Sequence, residues 1–433
     1  MQPAAQGTVR DPVLERALLD FEAAAPALAD EIVPHAVRRR AAAQLTRLGW
    51  PSGRDEQWRY ANLRAFEGVA AFTPAALLRA GGSAGAVAPA AGVELPVPLP
   101  GFTRLLYIDG VRVGDQGGGV VFPGRSIEPA WPPEQCLGLL GDMFAQDAAL
   151  LRIDGEAAVE LVFITSREAG GAAVYPRIQL DLAPASRLTL VERHLGAPAA
   201  PALVCATVTI ELGRGAQLLH YRLQQCAANI LFSDTLAARL QEDASYRVRQ
   251  IALGALTART SARVRLAGRG AALSWQAIAV GRTQQVHDTT LKVEHAAPAT
   301  STEEVFRGIA NERARISFSG HIQIEPGAPG AQARQSLRGL IEGAGAEVDL
   351  RPRLEINTDE VRAQHGATTG RLDENLLFYL LSRGIDRDTA RTLLKWAFLS
   401  DVLREIELPG LREQAERGAA DQLQDVLAVG ALA

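Results

Sequence analysis

The feature of this 433-residue sequence that most restricts its fold is a strand-and-turn unit that recurs from about residue 158 onward. In each unit a turn rich in small residues precedes a stretch in which apolar and polar residues alternate. The first apolar residues of these stretches are Leu188, Leu218, Tyr246, Leu273, Ile316 and Val348. Successive members of this series are 30, 28, 27, 43 and 32 residues apart. Units of this length without intervening helices predict a β-helix or β-solenoid. A β-sandwich is the alternative, and the regular turns favour the solenoid.

The sequence before this region has the pattern of helices over residues 12 to about 66. Asp11 is a favoured N-cap residue, and Pro12 follows it at the first helical position. A second helix is predicted from about His35 to Leu48, because Gly49 is a typical helix stop. The N-terminal region is therefore predicted to be a small helical domain.

A linker and a hairpin are predicted next. Residues 78–100 are rich in Ala, Gly and Pro, which indicates a linker or loose loop. The hydrophobic period then changes to two, and Asp109-Gly110 predicts a β-hairpin. We therefore divide the chain into an N-terminal helical domain with its linker (1–100), a β-helix core (101–365) and a C-terminal helical domain (366–433).

The C-terminal region changes abruptly to a helical pattern. Asp373 is a good N-cap, Gly384 is a helix stop, and Asp386 caps a longer helix that is predicted to end before Pro409. Trp396 widens the apolar arc of this longer helix beyond a single stripe. We expect one apolar face to cover the open end of the solenoid, because solenoid ends need caps, and the other to receive a partner protein.

Composition excludes several classes of partner. The formal net charge is −4, so no basic field favours nucleic acid or anionic lipid. The longest uncharged apolar run, Leu195–Ile210, is too short to span a membrane. Met1–Pro12 lacks the apolar segment of a signal peptide. The three cysteines form no CxxC pair, which suits a reducing compartment. We predict a cytoplasmic protein that binds neither nucleic acid nor membrane.

Motifs for nucleotide binding and hydrolysis are missing from the sequence. The only lysines, Lys292 and Lys395, each follow a leucine, whereas a P-loop needs lysine after glycine. We therefore expect no nucleotide to be bound by this chain. Residues 81–85 match GxSxG literally but fall in the predicted linker, away from any strand-turn-helix elbow.

Histidine is scarce, and one histidine stands out by its position. His365 lies between the predicted strands and the helical tail, in a chain with only seven histidines. His287, His295 and His321 lack metal-ligand spacing, and each is predicted to be a structural histidine. Cys136, Cys205 and Cys226 are predicted to be buried.

Several segments of the sequence form a recognisable set. They are Arg54–Leu63, Phe306-Arg307-Gly308, Ala314, Gly320, Pro326-Gly327-Ala328, Leu354–Val361, His365–Thr368 and Leu372-Asp373-Glu374. Together these segments resemble the SufB/SufD family of iron–sulfur cluster assembly proteins, and in particular its SufD members. The resemblance runs in the right order along nearly the whole chain.

The resemblance implies an architecture and partners. It implies a right-handed parallel β-helix flanked by helical N- and C-terminal domains. It also implies that the C-terminal helices dock the ATPase SufC, and that the end of the β-helix pairs with the paralogue SufB. A homodimer is a further possibility for the isolated chain.

The resemblance also implies a role for His365. This residue matches a family histidine at the SufB–SufD interface, where it would act as a metal ligand or proton relay for a transient iron–sulfur cluster, or iron, shared with SufB. Neutral imidazole is a competent ligand for ferrous iron. Ala363 stands where the family commonly has cysteine, so His365 would act alone from this side. The structural alternative is that its ring satisfies backbone groups where strand becomes helix.

Two further functions are compatible with a solenoid. A polysaccharide lyase or hydrolase needs paired carboxylates in an open groove, commonly lined with aromatics. Five acids could supply them, although aromatic residues make up only 5% of the chain. These acids are Glu342, Glu347, Asp349, Glu355 and Asp359. The other alternative is a purely structural interaction platform without chemistry of its own.

Overall fold

The structure is a computed structural model that describes residues 11–79, 93–113 and 131–424. The strands form two large sheets of the same β-solenoid. The ten-stranded sheet contains β1 (Thr103–Ile108), β2 (Val111–Val113), β4 (Glu156–Thr165), β7 (Arg187–Gly196), β9 (Gln217–Cys226), β11 (Ser245–Leu253), β13 (Ala272–Gly281), β15 (Ser301–Ala310), β17 (Ala331–Ile341) and β19 (Val361–Gly370). The nine-stranded sheet contains β3 (Ala149–Ile153), β5 (Ala173–Val174), β6 (Arg177–Leu182), β8 (Ala202–Leu212), β10 (Ile230–Leu240), β12 (Thr257–Leu266), β14 (Val286–His295), β16 (Arg315–Ile324) and β18 (Glu347–Ile356).

Helices lie at both ends of the chain. Those of the described N-terminal part are α1 (Pro12–Ala24), α2 (His35–Leu48), α3 (Arg64–Glu67), α4 (Ala75–Arg79) and α5 (Gly138–Phe144). Those of the C-terminal part are α6 (Glu374–Ser382), α7 (Arg387–Leu403) and α8 (Pro409–Leu423). The predicted mainly-β fold with a β-solenoid core and helices at both termini is therefore confirmed.

The solenoid has about eight turns. From β6 onward, successive strands alternate between the two sheets, so each turn adds one strand to each sheet. Neighbours within a sheet are parallel, and the antiparallel β1–β2 pair is the hairpin predicted at Asp109-Gly110. Because register is kept from turn to turn, apolar side chains stack in columns. One buried column contains Ile210, Ala238, Val264, Val293 and Ile322.

The turns that enter the ten-stranded sheet explain the recurring small residues. One residue in each adopts a positive φ, of 60, 66, 55, 72, 57 and 76° at Ala185, Gly215, Asp243, Gly270, Ala299 and Gly330. The backbone N–H of each donates to a carbonyl of the following turn, which makes a continuous ladder. Residues directly after several of these positions, such as Ala216, Ala244 and Ala271, are fully buried, so only small side chains fit.

The irregular spacing of 43 residues has a simple cause. Leu273 lies in β13 of the ten-stranded sheet, whereas Ile316 lies in β16 of the nine-stranded sheet. The interval therefore spans a turn and a half, because the sequence signal passes from one sheet to the other.

The N-terminal helices cover the outer face of the nine-stranded sheet. Leu203 and Leu231, on its outer face, belong to the same buried cluster as residues of α1, α2 and α5. Asp11 caps α1 as predicted, and its carboxylate accepts a hydrogen bond from Val13 N–H at 2.8 Å. Residues 80–92, most of the predicted linker and the whole GxSxG match, lie outside the described residues.

The C-terminal helices cover the outer face of the other sheet. Leu399 and Val402 of α7 pack with Ile278 and Val280 on the outside of the ten-stranded sheet. The expectation that these helices cap the open end of the solenoid is therefore wrong, because their apolar faces lie along its side. Pro409 does not end the helical region but begins α8, as proline is favoured at a first helical position.

Candidate functional site at the exposed end of the solenoid

The last turn of the solenoid is the most exposed part of both sheets. In β9 nearly every residue is buried, whereas no residue of β18 or β19 is fully buried. β18 and β19 end their sheets, and no strand in the described part of the chain pairs with their outer edges. Such edges carry backbone N–H and C=O groups that pair readily with another chain.

His365 lies in the middle of β19, which continues to Gly370 rather than ending at the boundary expected at 365. Its Cα is in register with Gln335 of β17. Residues two apart share a face of a strand, so its side chain lies on the face of Ala363, which packs against the solenoid core. The ring is exposed, and we find no hydrogen bond or ion pair from it to the described residues. It therefore does not satisfy backbone groups at a strand-to-helix junction.

Two buried polar side chains lie behind His365 in the same interior column. Gln335 is in register with Glu304 of β15, and both are almost completely buried. Gln335 Nε2 donates to Glu304 Oε2 at 2.7 Å and to the carbonyl oxygen of Gly320 at 3.0 Å. A Cβ at Gly320 would overlap both side chains, so glycine makes room for this pair.

Glu304 has an unusual environment for a carboxyl group. Burial raises its pKa to about 8, and the hydrogen bond from Gln335 opposes this only in part. Its Oε1 and the Oε1 of Gln335 are both buried without a hydrogen-bond partner among the described residues. At neutral pH Glu304 therefore holds its proton, two turns beneath β19 at the exposed end.

Sequence reasoning missed Gln335 and Glu304. Their signal was present, since Glu304, Gln335 and His365 are 31 and 30 residues apart, which matches the length of one solenoid turn. Polar residues that recur at the repeat period predict a polar column inside an apolar core.

A second polar cluster lies deeper in the solenoid. Arg222 contacts Glu192 at 2.9 Å and Asp234, across the two sheets, at 2.9 Å. His194 and His220 also contact the Glu192 carboxylate, at 2.6 and 2.9 Å. Burial alone would raise the pKa of Glu192, but Arg222 and the two histidines hold it well below its usual range. The charged groups of this cluster are therefore paired with one another inside the core.

The three histidines that were predicted to be structural differ in how completely their ring nitrogens are hydrogen-bonded. His295 fits the structural prediction, because its ring nitrogens contact Thr300 and Thr302 hydroxyls at 2.8 and 2.9 Å. His287 is buried with neither ring nitrogen bonded in the described structure, and burial lowers its pKa to about 4. His321 lies 3.3 Å from Glu355. None of the three is in register with His365.

The three cysteines are free and buried, as predicted. Burial raises the pKa of each thiol to about 12. A thiol with such a pKa stays protonated at neutral pH, whereas metal ligation and nucleophilic attack need the thiolate. Cys136, Cys205 and Cys226 therefore have a packing role.

Helix α6 follows the exposed strand and has little to pack against. Leu377 is its only buried residue, although most of the helix is apolar. Leu376, Phe378 and Tyr379 are 52, 72 and 54% exposed. Contiguous exposed apolar side chains of this size indicate an interaction surface.

Residues 54–63, the N-terminal segment that carries the family resemblance, have a structural role and do not form a binding site. Trp58 is buried, and the Arg259 guanidinium lies 3.8 Å from the centre of its ring. Arg259 also donates to the carbonyl of Gln57 at 3.0 Å and pairs with Asp288. The segment joins the N-terminal domain to the outer face of the nine-stranded sheet.

The acids that a sugar-cleaving enzyme would need are dispersed. Glu347 pairs with Arg315 at 3.2 Å, and Glu342 pairs with Arg391 at 3.0 Å. Glu355 lies near His321, as described above. Glu347, Asp349 and Glu355 all lie on β18, whereas Glu342 is in the loop after β17. Burial, followed by the nearby Glu347, raises the pKa of Asp349. Asp359 lies in the loop before β19. Glu347 and Asp349 line one pocket but come from the same strand, so they do not face each other across a groove.

Two kinds of feature are absent from the described residues. Among them, no three His, Cys, Asp or Glu side chains are placed so that they could hold a metal ion. No helix in the same part of the chain has the length and apolar character needed to cross a membrane.

Comparison with known proteins gives one consistent result. Residues 163–398 match the family described as "SUF system FeS cluster assembly, SufBD core domain". The sequence is 27% identical to the iron–sulfur cluster assembly protein SufD of Escherichia coli, over 86% of this chain and 89% of that protein. It is 26% identical to a SufBD family protein of Synechocystis, over 87% and 88%. A shorter match to SufD of Bacillus subtilis is 35% identical over 137 residues.

The match covers more than half of the chain and includes β5 to β19, the exposed end, all of α6 and most of α7. The chain belongs to the SufB/SufD family of SUF iron–sulfur cluster assembly proteins.

Proposed function

We propose that this chain is a non-catalytic, cytoplasmic scaffold subunit of the SUF machinery. In this proposal it pairs with SufB through β18 and β19, docks the ATPase SufC through its C-terminal helices, and presents His365 at the shared interface. The observation that carries the proposal is the last turn of the solenoid, which no strand of the described residues covers and whose interior face carries an imidazole without a hydrogen-bond partner among them.

The pairing with SufB rests on the two edge strands. A solenoid end left open to water is unfavourable, because its core columns and backbone groups remain partly hydrated. A paralogue with the same repeat would continue both sheets in register and cover these groups. In the isolated chain a second copy would meet the same edges, so we expect a homodimer in the absence of SufB.

The docking of SufC rests on α6. Leu376, Phe378 and Tyr379 are too exposed to contribute to the chain's own core. They lie close in sequence to β19, so a movement imposed on α6 by an ATPase would reach the strand that carries His365. This chain would bind no nucleotide itself.

The chemistry at the interface rests on His365. Imidazole is a borderline ligand that binds ferrous iron through a ring nitrogen, but one imidazole cannot hold a cluster alone. The transient cluster, or iron, would therefore be shared, with its remaining ligands coming from SufB or from sulfide.

Two substitutions separate the two contacts. Ala367→Arg adds a long charged side chain on the interior face of β19, and we expect it to abolish co-purification of SufB while SufC is retained. Phe378→Asp puts a charge on the exposed face of α6 and should release SufC while SufB is retained. Each variant is the control for the other. Retention of both partners by both variants would overturn the assignment of these surfaces.

A third substitution tests the role of His365 and distinguishes a chemical role from a purely structural platform. His365→Ala should stop cluster assembly in cells that depend on the SUF system, with the complex still formed. Gln364→Ala, on the opposite face of the same strand, is the matched control. Normal assembly with His365→Ala would leave the platform as the better description.

A further inference from the structure

The amide of Gln335 is held in one orientation. Both acceptors of its Nε2, Glu304 Oε2 and the Gly320 carbonyl, are oxygens. If the amide were turned over, its oxygen would face the carbonyl of Gly320, which cannot donate a hydrogen bond. The position of Oε1 is therefore fixed by Glu304 and Gly320.

This fixed Oε1 is an acceptor without a donor. It is buried, and no hydrogen bond reaches it from the described residues. A buried acceptor left unpaired costs about 1–3 kcal/mol, so a nearby donor would be used. On one side of Gln335 in its column lies Glu304, whose Oε2 already receives Nε2 and whose carboxyl, once the pH is above its pKa of about 8, has no proton to donate to Oε1.

On the other side lies His365, whose Cα is in register with that of Gln335. Neighbouring strands are about 4.8 Å apart, and in-register side chains point to the same face. A neutral imidazole always carries one N–H, and the ring of His365 is exposed and free to rotate. Among the described residues, the unpaired acceptor Gln335 Oε1 and the unpaired ring N–H of His365 therefore belong to neighbouring side chains of one column.

We propose that Gln335 is a positioning residue for His365, whose ring donates its N–H to Gln335 Oε1 and thereby keeps the other ring nitrogen unprotonated and directed out of the solenoid end. Glu304 and Gly320 act one step further back by fixing the amide. What the outward lone pair binds, an iron ion or a proton, rests on the function proposed above. The hydrogen bond between His365 and Gln335 is inferred independently of that function. Metal-binding histidines are commonly oriented in this way by the partner of their second nitrogen.

The test is the tautomer of His365 in the isolated chain. Histidine labelled with ¹⁵N distinguishes Nδ1–H from Nε2–H, and the signal of His365 is assigned by its loss in His365→Gln. At about pH 8.5, where an ordinary imidazole is neutral, we expect one dominant tautomer in the wild type. Gln335→Met should give a mixture, whereas Gln332→Met, an exposed residue of the same strand, should leave the single tautomer unchanged.

Two results would overturn the proposal: a mixture in the wild type, or one unchanged tautomer in Gln335→Met. If Gln335→Met does not fold, the wild type is compared with itself in urea, and an identical tautomer ratio in both states contradicts the hydrogen bond. In the intact complex we expect Gln335→Met to weaken iron binding about 10- to 100-fold. Because the tautomer is measured without SufB or SufC, failure of this inference is distinct from normal cluster assembly by His365→Ala, which would instead remove the proposed function.

Discussion

The buried carboxyl of Glu304 makes the stability of this protein depend on pH in a way that can be calculated. Its pKa rises from an ordinary 4.5 in the unfolded chain to about 8 in the native state. Between these values the native state holds a proton that the unfolded state has lost. The stabilisation is therefore complete below pH 4.5 and is lost as the pH rises through about 8.

The size of the effect follows from the same two values. Each pH unit inside the window costs about 1.4 kcal/mol of unfolding free energy, so the full loss is at most ~5 kcal/mol. Between pH 6.5 and 8.5 the expected loss is about 2 kcal/mol, because the native carboxyl begins to ionise there. His287 and His295, whose pKa burial lowers to about 4, act in the opposite direction and mainly below this range.

The substitution that isolates this effect is Glu304→Gln, which keeps the shape of the side chain and removes its titration. We expect urea unfolding to show that the wild type loses about 2 kcal/mol between pH 6.5 and 8.5 relative to Glu304→Gln. Glu303→Gln is the matched control, since Glu303 is the preceding residue, points to the outer face and is 44% exposed. Its pH dependence should follow the wild type.

The reasoning is refuted if wild type and Glu304→Gln lose stability in parallel over this range. That result would mean that Glu304 is already ionised at pH 6.5, and therefore that water or an additional donor reaches its carboxylate.

Three further predictions concern other parts of the molecule. Arg222→Met leaves Glu192 and Asp234 buried without their cation, so the free energy of unfolding in urea should fall by about 3–5 kcal/mol; a change below about 1 kcal/mol would show that the cluster is hydrated. Trp58→Ala removes the ring against which Arg259 stacks, and limited proteolysis should then release the N-terminal helices much faster than in the wild type, with the solenoid left intact. The cysteines should not react with a thiol reagent in the folded chain and should all react in urea; rapid labelling of any one in the native state would contradict its burial. They are Cys136, Cys205 and Cys226.

Much of the solenoid could be predicted because its signals are local. A turn residue with positive φ followed by a buried small residue recurs at Gly215-Ala216 and Gly270-Ala271, and a strand follows directly after each pair. The N-caps Asp11, Asp373 and Asp386 could likewise be predicted, because each carboxylate accepts hydrogen bonds from the backbone of its own helix.

What could not be predicted depends on contacts between distant segments. The pattern around Trp396 shows that α7 has a broad apolar surface, but not that it packs against Ile278 and its neighbours on the side of the solenoid. Pro409 indicates a helix boundary, and whether it ends one helix or begins another is decided by the packing of Leu411 on the same sheet. The environment of His365 depends on the exact register, which places Gln335 beneath it.

We propose that the exposed end of the solenoid is the interface with SufB and that α6 is the interface with SufC. Photo-crosslinking of the assembled complex tests both at once, with a photoreactive amino acid placed either at Ala367 in β19 or at Phe378 in α6. We predict that the probe at 367 links this chain to SufB and that the probe at 378 links it to SufC. An assembled complex in which the probe at 367 links to SufC, or to no other chain, would contradict the account.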